Sequence, residues 1–374
     1  MKEFEFIAPG KVIFGSGSIN KVGAEAIALG KRCLLVTGKT SMAKGGFLDK
    51  VSESLKESEV EIVLFNKVTP EPNLELVDEG IEMARKKGCE LVISLGGGSS
   101  IDVGKAVAGL INDGGRALEY QRGRKIMHPG IPFIAIPTTC GTGAEATFNS
   151  VLTDAKKGVK RSIRDKRMMA KVAIIDPKLT IGLPSKLVAI SGADALSHGI
   201  ESYTSQASNT FTDILALKAI ELAGSSLREA VKNSKDLKAK EQMCLAALLG
   251  GLALTNSGLG AAHGLGASLG AVLNIPHGVA VSLLLPYVME YNLETAKDKY
   301  IEIARCLGKG EAKQAPLLVK ALLTDIGIIP PPRLEIQEKD LIAISENASS
   351  SINYNPRKLD IEERIHILKR ALHL

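Results

Sequence analysis

Two hydrophobic rhythms divide this chain. In its first half, short β-branched runs alternate with charged amphipathic stretches: RCLLVTG (32–38), VEIVLFN (60–66), CELVISLGGG (89–98), PFIAIPTT (132–139) and KVAIIDP (171–177). Continuous apolar runs of this length, bounded by Gly and Pro, predict strands buried on both faces. Between them, Gly45–Glu57, Leu74–Lys87 and Ile101–Ile111 carry helical spacing. The alternation predicts a mostly parallel, doubly wound sheet, and KVIFGSGSINKVG near the start adds a strand, a Gly turn and a helix. After DPKLTIGLPSKL the strand runs stop and Ala, Leu, Lys and Glu dominate. The expected architecture is an α/β domain over residues 1–183 and an all-helical domain over 184–374, divided near Pro184, with helix breaks at GSSLREA, NIPHG and GIIPPPR.

Composition narrows the function classes. With 374 residues, 45% of them hydrophobic, the chain is long enough for two cores. The formal charge of +6 is spread along the sequence, as on solvated helix faces, and aromatics at 4% with no Trp leave out the stacking platforms of nucleic-acid binders. Cys33, Cys89, Cys140, Cys244 and Cys306 are far apart with no C-x-x-C, which predicts buried thiols in a reducing compartment rather than disulfides. MKEFEFIAPGK carries charges where a signal peptide needs an apolar core, so a cytoplasmic protein is expected. The apolar stretch 258–275 is short, Gly-rich and contains His263, which predicts a core helix and no membrane partner.

Two loops suit an anionic cofactor. LVISLGGGSSIDVGKA passes from a strand through Gly96, Gly97, Gly98 and Ser99 into a helix, where successive backbone N–H groups and the helix N-terminus can cradle a pyrophosphate; a purely structural tight turn has the same pattern. Asp102 and Lys105 fall in the first turns of that helix, where Asp102 either holds the loop or complements the helix dipole. IPTTCGTGAEAT also follows a strand and offers the Thr138, Thr139 and Thr142 hydroxyls. In open α/β sheets nucleotides bind at such strand ends.

The second half holds a candidate metal set. Asp194 and His198 in GADALSHGIES are one helical turn apart on one face, and His263 and His277 lie in the Gly-rich GLGAAHGLGASLGAVLNIPHG. An i, i+4 Asp/His pair alone is more often a surface contact; four candidates together form an N3O set suited to one Fe(II) or Zn(II). His366 and His373, in the amphipathic tail DIEERIHILKRALHL, read as surface residues.

GGGSSID..K, IPTTCGTGAEAT, GADALSHGIESY and AAHGLGASLGAVLNIPHG, with VIFGSGSINKVG before them and NPR (355–357) after, together resemble the iron-containing (group III) alcohol dehydrogenase family of the dehydroquinate synthase-like superfamily. The resemblance spans nearly the whole chain. It implies a dinucleotide-binding α/β domain, a helical metal- and substrate-binding domain, and homodimers or larger assemblies. It implies metal ligation, and thereby catalysis, by Asp194, His198, His263 and His277. The loops at 96–99 and 138–142 become cofactor contacts, joined by Lys160 and Leu179. The reaction implied is reversible hydride transfer between a nicotinamide cofactor and a small primary alcohol or aldehyde. Lyases or glycerol dehydrogenase-like enzymes on the same fold, and a catalytically silent nucleotide-binding protein, are the alternatives.

Three positions depart from the family pattern. Ala267 stands where many relatives carry a proton-relaying His. Gly38, followed by Lys39, Thr40 and Ser41, stands where NAD-dependent relatives often place an Asp against the adenosine ribose. Losing a carboxylate and gaining a cation favours a 2′-phosphate, so NADP(H) is expected over NAD(H). Glu71, in TPEPN, replaces a frequent Asn.

Overall fold

The computed structural model describes residues 3–39, 45–156, 159–329 and 336–374. The chain forms two compact units. One comprises Ile7–Thr139 and Ala144–Thr180; the other takes the N-terminal segment through Phe6, the short piece Cys140–Gly143 and Ile181–Leu374. The observed division thus follows Thr180, and the helical unit also claims four residues of the second loop.

The first unit is built on a six-stranded sheet in the order β1-β8-β5-β4-β2-β3. Its strands are β1 (Lys11–Phe14), β2 (Arg32–Gly38), β3 (Glu61–Val68), β4 (Leu91–Gly96), β5 (Phe133–Pro137) and β8 (Val172–Ile175), all paired in parallel. Helices α1 (Val22–Ile27), α2 (Phe47–Glu57), α3 (Leu74–Lys87), α4 (Gly98–Leu110) and α5 (Ala117–Gln121) connect or flank them. The continuous apolar runs have the cause expected of them, because both faces of the sheet are covered. Along β2, Leu34 and Val36 join one core cluster while Cys33 and Leu35 join the other; along β4, Val92 faces one way and Ile93 and Leu95 the other.

The periodicity does not predict the antiparallel ribbon of β6 (Asn149–Asp154) and β7 (Val159–Arg164). NSVLTD and VKRSIR are polar and cationic, so they carry none of the apolar signal that marks the main sheet. Asp102 anchors the ribbon, its carboxylate accepting from Val151 N at 3.1 Å while Ser150 Oγ donates to Asp102 O at 2.8 Å.

The second unit contains α6 (Ser185–Thr204), α7 (Thr210–Lys232), α8 (Leu237–Ser257), α9 (Ala261–Leu273), α10 (His277–Asn292), α11 (Lys297–Cys306), α12 (Gln314–Asp325), α13 (Glu338–Glu346) and α14 (Ile361–Leu372). Pro184 and Pro276 occupy the N-cap positions of α6 and α10, where the missing N–H costs no helical hydrogen bond. The break expected at GSSLREA is absent. α7 runs through it, and Gly224 is the point where the helix meets Leu307, whose Cδ2 would lie 2.5 Å from an added Cβ. Most of GIIPPPR lies outside the described residues. Among those described, no single helix is long and apolar enough to cross a membrane; α8 and α9 pass that test only as a pair bent by 104°.

The cysteine expectation needs a correction. Cys140 and Cys244 are paired as a disulfide across a sequence separation of 104, while Cys33, Cys89 and Cys306 are free. The contact is tertiary: Cys140–Gly143 lies against α8, where Gly143 has φ +58 and an added Cβ would stand 2.6 Å from Gly251 Cα. Linear spacing carries no trace of that approach.

Candidate functional site

The parallel strands of the first unit bring their carboxyl ends to one edge, and most of the expected cofactor contacts follow those ends. Gly38 closes β2, Gly96 closes β4 and leads into α4, and Thr138 and Thr139 follow β5, with Thr138 N donating to Gly96 O at 3.0 Å. α4 begins at Gly98 with no side chain capping it and no acidic residue in its first turn. A Cβ on Gly96 would meet Ser100 Oγ at 2.5 Å, whereas one on Gly97 would reach Thr139 only at a contact distance of 3.4 Å. Glycine is required for this turn, which leaves an uncapped helix N-terminus and half-buried Gly97, Gly98 and Ser99, a fit to a phosphate group.

Other expected contacts stand differently. Asp102 turns its carboxylate to β6 rather than to the glycine loop. The side chain of Leu179 is only 2% exposed and belongs to the core, so any contact from it falls to its backbone. Lys39 is exposed beside Gly38, Thr40 and Ser41 lie outside the described residues, and Thr142 is exposed in the segment assigned to the helical unit. Lys160 pairs with Glu71, Nζ to Oε2, at 2.5 Å. The ribbon register explains this pair: Lys160 lies opposite Thr153, whose N donates to Pro72 O at 2.9 Å, and Glu71 adopts a left-handed φ of 54. An Asn fits that conformation with less strain than a Glu.

Beneath the second loop, Lys105 is fully buried and donates to Ala144 O (2.7 Å), Thr147 Oγ1 (2.8 Å) and Asn149 O (2.8 Å). Burial lowers its amine to about 8, with Asp102, 3.9 Å away, and Glu145 opposing the shift. Burial also raises the Asp102 carboxyl to about 6 and that of Glu145 to about 7.

The helical unit assembles the metal candidates. Ligand atoms of Asp194, His263 and His277 all lie within 4.8 Å of one another. His198 adjoins that trio: its Nε2 is 3.8 Å from Asp194 Oδ1, and its ring stacks on His263 with centroids 4.8 Å apart. Asp194, His198 and His263 are buried and His277 is half-buried. Asp194 Oδ1 and His263 Nε2, 3.5 Å apart, are both buried without a hydrogen-bond partner of acceptable geometry. His263 Nδ1 is 2.6 Å from Glu201 Oε2; a carboxylate only accepts, so Nδ1 carries a proton and Nε2 is the nitrogen left facing Asp194. A carboxylate oxygen facing an imidazole nitrogen calls for positive charge between them, which a proton supplies in the metal-free protein and a divalent cation can supply in its place.

The titration shifts express the same demand. Burial works against ionisation of Asp194, but His198 and the other imidazoles outweigh it and hold the carboxyl below its usual range. Burial pushes His198 down to about 4. It opposes protonation of His263 too, yet Asp194 and Glu201 on its two sides carry that imidazole up to about 9.

Family models for the iron-containing alcohol dehydrogenases match residues 9–177, and for their C-terminal domain residues 188–372. The chain belongs to the iron-containing alcohol dehydrogenase family. As a member it is an oxidoreductase acting on CH–OH groups. It is 37% identical to the 1,3-propanediol dehydrogenase of Citrobacter freundii, covering 98% of each chain, and 32% identical to the NAD-dependent methanol dehydrogenase of Bacillus methanolicus, covering 98% of this chain and 99% of that one. The crystal structure of a 1,3-propanediol oxidoreductase superposes with a TM-score of 0.93 at 35% identity, covering 99% of this chain and all of the other.

Sequence reasoning missed how this alcohol dehydrogenase frames its candidate metal ligands. Glu201, 3% exposed, accepts from Ala262 N (2.6 Å) and His263 N (3.2 Å) at the start of α9, besides holding His263 Nδ1. Asn355, in the NPR segment, accepts from Ala261 N at 3.2 Å and exchanges hydrogen bonds with Asn292. A signal for Glu201 existed: it lies seven residues after Asp194 on one helix, so the two share a face.

Proposed function

We propose that this enzyme interconverts a small primary alcohol and its aldehyde using NADP(H) in preference to NAD(H), with Fe(II), or Zn(II) in the same donors, held by Asp194, His198, His263 and His277. The buried Asp194 Oδ1 and His263 Nε2, which face one another at 3.5 Å with no hydrogen bond of acceptable geometry, carry this reading. A divalent metal held by these donors would supply Lewis-acid polarisation of the substrate oxygen, and a bound nicotinamide cofactor would supply the hydride chemistry. The protein's own part is to bind and orient. The uncapped N-terminus of α4 and the glycine turn before it take the pyrophosphate. Lys39, next to a Gly38 that offers no carboxylate, favours a 2′-phosphate. The burial of Asp194, His198 and His263 excludes water from the charged cluster. Ala267 cannot relay a proton, so the alcohol proton leaves by another route than that side chain.

The small substrate agrees with relatives named for 1,3-propanediol and methanol. A cytoplasmic homodimer or larger assembly completes the proposal. The test is oxidation of NADPH and of NADH with butanal, using protein purified without oxygen, stripped by a chelator and reloaded with Fe(II) or Zn(II). Metal-dependent oxidation, faster with NADPH, is expected. Oxidation that survives chelation would remove the metal role, and equal or faster turnover with NADH would remove the cofactor preference.

A further inference from the structure

We infer that Glu201 is a positioning residue for the metal: its carboxylate fixes the tautomer and direction of the His263 ring and ties that ring to the start of its own helix. This rests on the ligand assignment made above.

The argument begins with the histidine. An imidazole can ligate through Nε2 only when that nitrogen is unprotonated, and a proton held on Nδ1 by an acceptor secures this. Glu201 Oε2 stands 2.6 Å from Nδ1. The same carboxylate accepts from the backbone N–H groups of Ala262 and His263, so one side chain fixes both the ring and the turn of backbone that bears it. The position is closely defined, since a Cβ on Gly260 would fall 2.7 Å from Glu201 Oε1. Glu201 is in turn carried on α6, the helix that also presents Asp194 and His198. One rigid element therefore supplies two candidate ligands directly and orients a third through Glu201. Asn355 accepts from the same helix start at Ala261 N, while its other side-chain hydrogen bonds go to Asn292 and Arg357 O rather than to the His263 ring, which makes it a control for capping alone.

The experiment compares wild-type protein, Glu201→Gln and Asn355→Ala, each stripped of metal. Zn(II) affinity is measured by competition with a chromophoric chelator, the Co(II) absorption spectrum reports ligand geometry, and the melting temperature of the apo-protein reports folding. Gln has nearly the shape of Glu and its amide oxygen can still accept from the helix start, but it lacks the charge that favours a proton on Nδ1. The expected result is a 10- to 100-fold loss of Zn(II) affinity in Glu201→Gln, the range typical of a ligand's supporting partner, with an altered Co(II) spectrum and an apo melting temperature close to wild type. Wild-type affinity and spectrum in Glu201→Gln would overturn the inference. So would an equal loss of affinity in Asn355→Ala for an equal loss of apo stability, because capping would then account for both. Wild-type protein that takes up no divalent metal would instead overturn the ligand assignment itself.

Discussion

Single residues decide the chemistry of both candidate sites. Asp194 and His198 are legible as a pair because a helix turns i and i+4 to one face, and that inference needs no tertiary information. His263 carries more of the site than its spacing implied, since it touches Asp194, Glu201 and the rings of His198 and His277. His263→Ala is expected to release the metal and lower turnover at least ~100-fold, beyond what loss of a supporting partner costs; metal content and kcat measured on the same sample check this, and full activity with metal retained would be inconsistent with ligation. Glu71 matters for a different reason. Paired with Lys160, it sets a negative charge beside a cation expected to serve the cofactor. With 59% of its side chain exposed the interaction is screened, so Glu71→Gln is expected to tighten NADPH and NADH alike by only about two- to five-fold. Dissociation constants from nucleotide fluorescence read this directly, and unchanged constants for both cofactors would refute it.

At the scale of elements, the strands were legible where both of their faces are buried and illegible where they are not. β2 matches the apolar run at 32–38 residue for residue, whereas β6 and β7 escaped because a two-stranded polar ribbon shows neither an apolar run nor a clean alternation. The ribbon is anchored by Asp102, a residue the motif assigned to the nucleotide loop. Helix breaks were misjudged at GSSLREA for a related reason: a Gly within a helix signals a stop unless a neighbouring side chain needs the space, and Leu307 needs it. Gly143 is the converse case, where both conformation and approach demand glycine. With φ +58 and an added Cβ 2.7 Å from Ala247 O, Gly143→Ala is expected to destabilise the protein by roughly 1–3 kcal/mol. Thermal or urea unfolding measures this, and an unchanged midpoint would mean that the loop moves away from α8 without cost.

For the whole molecule, stability should depend on metal and on pH. A ligand bound only by the folded state stabilises it by mass action, and here the metal would also give Asp194 Oδ1 and His263 Nε2 the partner they lack. Chelation is therefore expected to lower the melting temperature and re-addition of Fe(II) or Zn(II) to restore it; a melting temperature indifferent to chelation would count against a bound metal. In the chelated protein, the buried groups around Lys105 give a further dependence. Carboxyls raised to about 6 in Asp102 and about 7 in Glu145 keep protons in the folded state that the unfolded chain has released. Their contribution is present at low pH and is lost as pH rises from the ordinary carboxylate range through 6 to 7. Lys105 acts in the opposite sense at higher pH: above about 8 the folded amine has given up a proton that the unfolded chain retains, so stability rises with pH in that window. Glu145→Gln is expected to flatten the decline in melting temperature between pH 5 and about 7, and a slope parallel to wild type would remove Glu145 from the account.

The amino-acid sequence by itself determined the two architectures, the parallel sheet, the carboxyl edge with its glycine turn, and the order of the metal candidates. All of these follow from local periodicity, glycine and proline placement, or motif spacing, which act over a few residues at a time. Tertiary structure alone decided the Cys140–Cys244 disulfide, the clamp of Glu201 on His263, the link from Asn355 to the start of α9, and the pairing of Glu71 with Lys160. Each joins residues between 62 and 104 positions apart. Contacts at that separation arise when packed helices and strands fix the direction of each side chain, and spacing along the chain does not encode that direction.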